Sequence, residues 1–212
     1  MKIGILGSGV VGQTLAKGFL SQGHEVQLGT SNPSKLSEWL NGDGKGIEVL
    51  GFGEVSANAE LLVLAVKGHA AKTVLENVGA EALKGKTIID ATNPIDDSVA
   101  PENGVLTFFT KGKSLMEELQ EAFPQAHFVK AYNSVGAGLM VNPQLGSKPT
   151  MFIAGNNTEA KIQVTAINEA FGWETEDMGV ATAARAIEPL CILWCIPGFL
   201  KNDCAHAFKL LK

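Results

Sequence analysis

Short apolar runs alternate with amphipathic stretches along most of the chain. Lys2 to Leu6, Glu25 to Leu28, Ile47 to Phe52, Leu61 to Val66, Lys86 to Asp90, Ala126 to Ala131, Pro149 to Ala154 and Trp173 to Met178 read as strands. Between them the apolar period lengthens to that of a helix. Val11, Leu15, Gly18 and Phe19 share one face, as do Ala71, Val74, Leu75 and Val78. The same spacing recurs in Leu115, Leu119 and Ala122, and in Ala160, Val164, Ile167 and Phe171. Pro33 suits the first turn of a helix from Ser34 to Leu40. Gly53 to Glu60 reads as a short helix or turn. Asn156 and Glu159 resemble a capping box, and Pro124 stops the helix from Ser114 to Phe123. The unbroken apolar run Leu61 to Val66 is what a central parallel strand, buried on both faces, requires. Strands alternating with helices predict an α/β protein built on a doubly wound, mostly parallel sheet. From Val180 to Lys212 the pattern is helical, with a break near Pro197-Gly198 and a last helix from Ala205 to Leu211. That stretch predicts a small C-terminal helical lobe.

Chemistry enters at the first bend. The strand Lys2 to Leu6 ends in Gly7-Ser8-Gly9-Val10-Val11-Gly12, and a helix follows at once. Gly7 permits a tight turn, Gly9 leaves room for a pyrophosphate against the backbone, and Gly12 lets helix and strand pack closely. The free N–H groups and positive dipole end of the helix favour a phosphate bridge. A glycine-rich turn flanked by strand and helix is the dinucleotide fingerprint of a Rossmann-type fold. A tight βα turn that holds no nucleotide is the alternative.

The second βα loop refines the ligand. A nicotinamide dinucleotide without a 2′-phosphate needs a carboxylate at the end of strand two. Gln27 to Ser37 contains none. It offers Thr30, Ser31, Asn32 and Lys35, which can hold a 2′-phosphate. This points to NADP(H) over NAD(H); an ordinary polar helix cap is the alternative. The ends of later strands should border the same ligand. They place Lys67, Gly68 and His69 beside the cofactor, set the Asn93 amide where it could bond the nicotinamide carboxamide, and put the loop Thr92 to Pro94 on the edge of the acceptor pocket. Tyr132, Asn133, Ser134, Gly136 and Ala137 then border a substrate pocket, where the small residues permit close approach of a ring. A hydrogen-bonded loop corner accounts equally well for Tyr132 and Asn133. The stretch Asp96 to Thr110 reads as a loop able to cover a site. No acid/base set is evident; Lys67, His69 and Tyr132 are the candidate proton donors.

Composition limits the partners. The chain has 212 residues and a net charge of −5, which argues against nucleic acid or an anionic membrane surface. It has three cysteines, Cys191, Cys195 and Cys204; the first two are four apart on one helix face, with no histidine there to complete a metal set. They read as small buried hydrophobes in a reducing compartment. The chain enters its first strand at once, so a cytoplasmic location without a signal peptide is expected. Leu190 to Leu200 is apolar but shorter than a membrane span. Ala186, Ile187, Leu190, Ile192, Leu193 and Trp194 cannot share one helix stripe, so a homodimer using this segment is expected.

Four segments together resemble the deazaflavin (coenzyme F420)-dependent NADP oxidoreductases and the related NADPH-binding domains of membrane metalloreductases. They are Gly7 to Gly12, Gly29 to Pro33, Ala91 to Pro94 and Lys130 to Gly136. The resemblance implies an NADP-binding domain over residues 1–140 and a closely packed C-terminal part over 141–212. It implies a pyrophosphate turn at Ser8 to Val11 and a 2′-phosphate site at Thr30, Ser31 and Lys35. Val66 and Lys67 then edge the nicotinamide ribose, with Asn93 and Pro94 on the nicotinamide side. The implied activity is hydride transfer to a deazaflavin, a flavin or another small acceptor. Ser31 stands where the family has an arginine, and serine cannot hold a phosphate bidentately. A non-catalytic NADPH sensor and an imine or ketone reductase are the other readings.

Overall fold

A computed structural model describes all of residues 1–212. The chain opens with β1 (Lys2–Leu6), α1 (Val10–Ser21) and β2 (Glu25–Gly29), then a 3-10 turn (Pro33–Leu36) running into α2 (Ser37–Asn41). It continues through β3 (Glu48–Leu50), α3 (Phe52–Asn58), β4 (Leu61–Leu64), α4 (Gly68–Val78) and α5 (Ala80–Leu83). Next come β5 (Thr87–Asp90), α6 (Leu115–Ala122), β6 (His127–Lys130), β7 (Thr150–Gly155) and α7 (Thr158–Ala170). The chain closes with β8 (Glu174–Asp177), α8 (Ala184–Ile187) and α9 (Leu190–Lys201).

The eight strands form one sheet in the order β3-β2-β1-β4-β5-β6-β7-β8. Strands β1 to β6 pair in parallel; β7 runs antiparallel to β6, and β8 follows β7. The sheet therefore continues unbroken past residue 140. All four residues of β4 are buried. Leu61 and Val63 face a core with Leu15 and Phe19 of α1 and Val164 of α7. Leu62 and Leu64 face the other core, with Val55, Leu75 and Leu119. Strand alternation thus feeds two cores at once, each buried leucine contributing roughly 1.5–3 kcal/mol.

The structure corrects four local expectations. Ala122 is exposed, and α6 buries Leu115, Met116 and Leu119 instead. The cap of α7 is Asn157, whose side chain accepts from the Ala160 N–H; Asn156 accepts from Ala181. The break near Pro197 does not occur, because α9 runs through it to Lys201. No helix spans Ala205 to Leu211. Asn202 turns left-handed (φ 53°) and ends α9, and the tail then bonds to distant groups. The Trp194 ring N–H donates to the His206 carbonyl at 2.8 Å, and Thr150 N–H to the Phe208 carbonyl at 2.9 Å.

The cysteines also divide: Cys191 is buried, Cys195 half-buried and Cys204 exposed, all unpaired. No cluster of histidine, cysteine or carboxylate suits a metal ion. The helical stretch Ala181–Lys201 is long and apolar enough to cross a membrane by length and composition alone. Its inner face is committed to the sheet, with Ala184, Ile187, Glu188 and Cys191 buried. Leu193, Phe199 and Leu200 lie on its exposed side.

Candidate functional site

The chain leaves β1 toward β2 and β3, then crosses back to β4 on the other side of β1. In open α/β sheets such a switch point leaves a crevice outside the strand ends, where ligands bind. Here the crevice is a cleft of about 500 Å3. Gly7 to Val11 line its middle, Thr30, Ser31 and Phe52 one end, and Ala65 to Lys67 with His69, Ala70, Val74 and Ala91 the other.

The glycines of the first bend play different parts. A Cβ on Gly7, whose φ is +130°, would lie 2.2 Å from the Ala65 carbonyl oxygen. One on Gly12 would lie 2.0 Å from the Gly7 carbonyl oxygen. These two hold strand, turn and helix together. A Cβ on Gly9 would meet nothing within 4 Å. Gly9 is the N-cap of α1 and supplies no side-chain cap. The first-turn N–H groups of a helix lack intrahelical partners, and here they border the cleft. This is the backbone anion cradle that a pyrophosphate requires.

The Ser8 and Thr30 hydroxyls lie 2.9 Å apart and join the first loop to the second. The Asn32 N–H donates to the Thr30 oxygen at 3.2 Å. Thr30 is buried and Ser31 exposed, both on the cleft. Asn32 and Lys35 are exposed and just outside it. No carboxylate lines the cleft, so nothing there repels a phosphate. The residues present therefore fit NADP(H).

At the other end, Lys67 and His69 line the mouth. Their partner comes from the loop after β5, which periodicity could not place. The Lys67 ammonium donates to Asp97 Oδ2 at 2.7 Å, and His69 Nδ1 lies 3.6 Å from the same oxygen. All three groups are largely exposed.

The remaining predicted residues lie behind the cleft. Thr92 is buried, and its hydroxyl donates to Asp90 Oδ1 at 2.6 Å. The Asn93 amide donates to the Asn133 carbonyl at 2.7 Å, and the Asn133 amide returns a bond to Asn93 Oδ1 at 3.1 Å. Pro94, Asn133 and Ser134 are buried. Gly136 does admit a ring, but the ring is the chain's own. A Cβ there would lie 2.6 Å from the Trp194 indole. Ala137 follows at the start of a 3-10 turn and packs on the core.

Tyr132 points away from the cleft. It has a left-handed φ of 62°, is 1% exposed, and packs with its ring tilted 57° to that of Phe171, 6.2 Å away, in the α1–α7 core. Its hydroxyl has no partner, and burial pushes the phenol's pKa up. Sequence reasoning missed Phe52, Ala65, Ala70, Val74 and Ala91 on the cleft. The apolar run Ile47 to Phe52 puts Phe52 at the end of a strand, yet it opens α3. Ala65 and Val74 belong to apolar patterns that mark burial, and a burial pattern names no ligand.

Comparison with known proteins decides the family. Residues 2–94 match the model of the coenzyme F420-dependent NADP oxidoreductases. A solved structure from Arthrobacter sp. FB24, provisionally named an F420-dependent NADP reductase, is 33% identical. The match covers 100% of both chains, with a TM-score of 0.93. The chain belongs to the F420-dependent NADP oxidoreductase family. This family member is also 28% identical to the rat metalloreductase STEAP3 over 100% of its own length. It spans only 42% of that relative. An imine reductase from Streptomyces aurantiacus matches at a TM-score of 0.67 over 94% of this chain and 63% of that one. At 19% identity that likeness shows the fold alone.

Proposed function

We propose that this oxidoreductase passes a hydride between NADP(H) and a planar deazaflavin- or flavin-type acceptor. The observation that carries the reading is the unequal make-up of the site. Its nucleotide half is an open, carboxylate-free cradle of backbone amides and hydroxyls. Its far side offers small apolar residues, with exposed Lys67 and His69 at the mouth and no buried acid/base pair on the cleft, Tyr132 being turned into the core. The dinucleotide would supply the hydride, and such ring-to-ring transfer asks of the protein only grip, distance and exclusion of water. First-turn amides of α1 hold the pyrophosphate. Thr30 and Ser31 face the 2′-phosphate, with Lys35 beside them. Phe52 gives the adenine an apolar wall. Val66 and Lys67 edge the nicotinamide ribose, and Ala91 with the Asn93–Asn133 pair backs the nicotinamide.

The test is consumption of NADPH, deuterated at C4, with a deazaflavin, a free flavin, a ferric chelate and a cyclic imine in parallel. Label recovered at C5 of the reduced deazaflavin, or a primary deuterium isotope effect on flavin reduction, supports the reading. NADPH binding without turnover on any acceptor replaces it with a sensor role. One observation favours a second reading, reduction of an imine or ketone: Lys67 and His69 share Asp97 at the cleft mouth, as a proton donor would require. Turnover of the imine that survives Lys67→Met and His69→Gln would remove it.

A further inference from the structure

Behind the cleft lies a charge cluster that the proposed chemistry does not use. Lys130, the last residue of β6, is 0% exposed. Its ammonium donates to the Thr92 carbonyl at 2.9 Å. It also forms ion pairs with Asp90 Oδ2 at 2.7 Å and Glu188 Oε1 at 2.9 Å. Asp90 uses its other oxygen to accept from the Thr92 N–H at 2.9 Å and from the Thr92 hydroxyl at 2.6 Å. All three polar groups of Thr92 are thus held by one buried pair. Glu188, between α8 and α9, accepts from the Leu115 and Met116 N–H groups, both at 3.0 Å. Those amides begin α6, where the loop after β5 ends.

A second layer runs parallel to the first. Asn133, three residues after Lys130, reaches Asn93 and also the Ile187 carbonyl at 3.1 Å. Each layer joins the loop after β5, the end of β6 and the C-terminal lobe. The cluster holds one positive and two negative groups, and its surplus negative charge meets the positive end of α6. Burial by itself pulls the Lys130 pKa down, but Asp90 and Glu188 outweigh it and hold the value above normal.

A buried ion cluster is a weak source of stability, since well-packed apolar side chains of equal volume often serve as well. What it can supply is fixed geometry. We infer that Lys130 is a positioning residue: it locks the Thr92–Asn93 backbone to the C-terminal lobe and so sets the gap between nicotinamide and acceptor. The inference rests on the proposed hydride transfer. Such a transfer needs reacting atoms within roughly 3–3.5 Å, and a 1 Å error costs about 100-fold in rate.

Lys130→Met alone strands two buried carboxylates, so the informative variant is neutral throughout: Asp90→Asn, Lys130→Met and Glu188→Gln together. It keeps the acceptor for Thr92 and one of the two acceptors at the start of α6, and removes the charges. In the cofactor-free protein, amide hydrogen exchange at Thr92–Asn93 and Leu115–Met116 should quicken about tenfold, with Ser8 to Val11 unchanged. NADPH affinity should stay within about threefold, while kcat falls about 30-fold or more with the NADPH KM unmoved. Exchange at Thr92–Asn93 equal to wild type overturns the inference. So does quickening spread evenly over the whole sheet, the mark of a purely structural cluster. If the triple variant does not fold, Glu188→Gln alone is read on the same amides by the same criteria. Wild-type protein that fails to bind NADPH sinks the proposed function, and the exchange pattern still decides whether Lys130 locks the loop.

Discussion

The two ends of the site are built by opposite means. The nucleotide end is backbone and small hydroxyls. Its glycines come from one stretch of six residues, it stands open, and no charged side chain holds its shape. The far end is closed. It is assembled from Asp90, Thr92 and Asn93, from the Leu115 amide, from Lys130 and Asn133, and from Ile187 and Glu188, joined across up to 73 positions of sequence. An anion cradle needs free amides and space. A surface that sets the distance between two rings needs rigidity, and buried charges on several elements provide it.

The sharpest way to break this comparison is to add one methyl group at either kind of glycine. Gly12→Ala or Gly7→Ala drives a Cβ to about 2 Å from a backbone oxygen. Either should abolish NADPH binding together with the folded state, read as loss of the thermal transition. Gly9→Ala meets no protein atom within 4 Å, so its Tm should match wild type. Its NADPH Kd should rise by about 10–100-fold, roughly 1.4–2.7 kcal/mol, because the methyl group intrudes on the pyrophosphate. A G9A protein that binds NADPH normally would mean the cradle is not where the phosphates lie.

At the closed end, Gly136→Ala pushes into the Trp194 indole. Overpacking of this kind should cost about 1–3 kcal/mol, measured by urea denaturation, with NADPH affinity unchanged. At the open end, Ser31→Arg adds a guanidinium fork beside Thr30 on the cleft. It should tighten NADPH by about tenfold and leave NADH unmoved, as paired titrations would show.

A smaller effect concerns α6. Arg185 holds the Glu117 carboxyl well below its usual range, at about 2, with Ser114 assisting. A lowered carboxylate pKa stabilises the fold above the unfolded value and loses that contribution as pH falls through the folded one. Glu117→Gln should therefore be less stable than wild type at neutral pH. The gap should narrow between about pH 4.5 and about 2, followed by acid titration of Tm. The exposed stripe of Leu193, Phe199 and Leu200 supplies the last test. If the homodimer expected from the sequence forms there, Leu193→Glu with Leu200→Glu should halve the mass seen by light scattering.

Much of the frame was legible because it is written locally. Strand and helix periods mark all eight strands, and the Gly7 to Gly12 bend marks the cleft. The misreadings share a cause. Tyr132 looked like a proton donor because it follows a strand at its carboxyl end, where site residues gather. Only the left-handed backbone at that residue turns it into the core. Gly136 looked like room for a substrate ring, and the indole that fills it lies 58 positions away in sequence. The Ala205 to Leu211 tail has a helical pattern, yet Thr150 and Trp194 take up its backbone groups.

What the sequence determined by itself is the sheet, the anion cradle and the lack of a repelling carboxylate. These follow from short-range geometry: where a Cβ can sit, which period a strand or helix imposes, and which charges a loop contains. What only the tertiary structure decided is the closed end of the site. Lys130 is one lysine among many in the sequence, and nothing near it names Asp90 or Glu188 as partners. A buried ammonium takes its meaning from the oxygens packed around it, and those arrive only when distant segments meet.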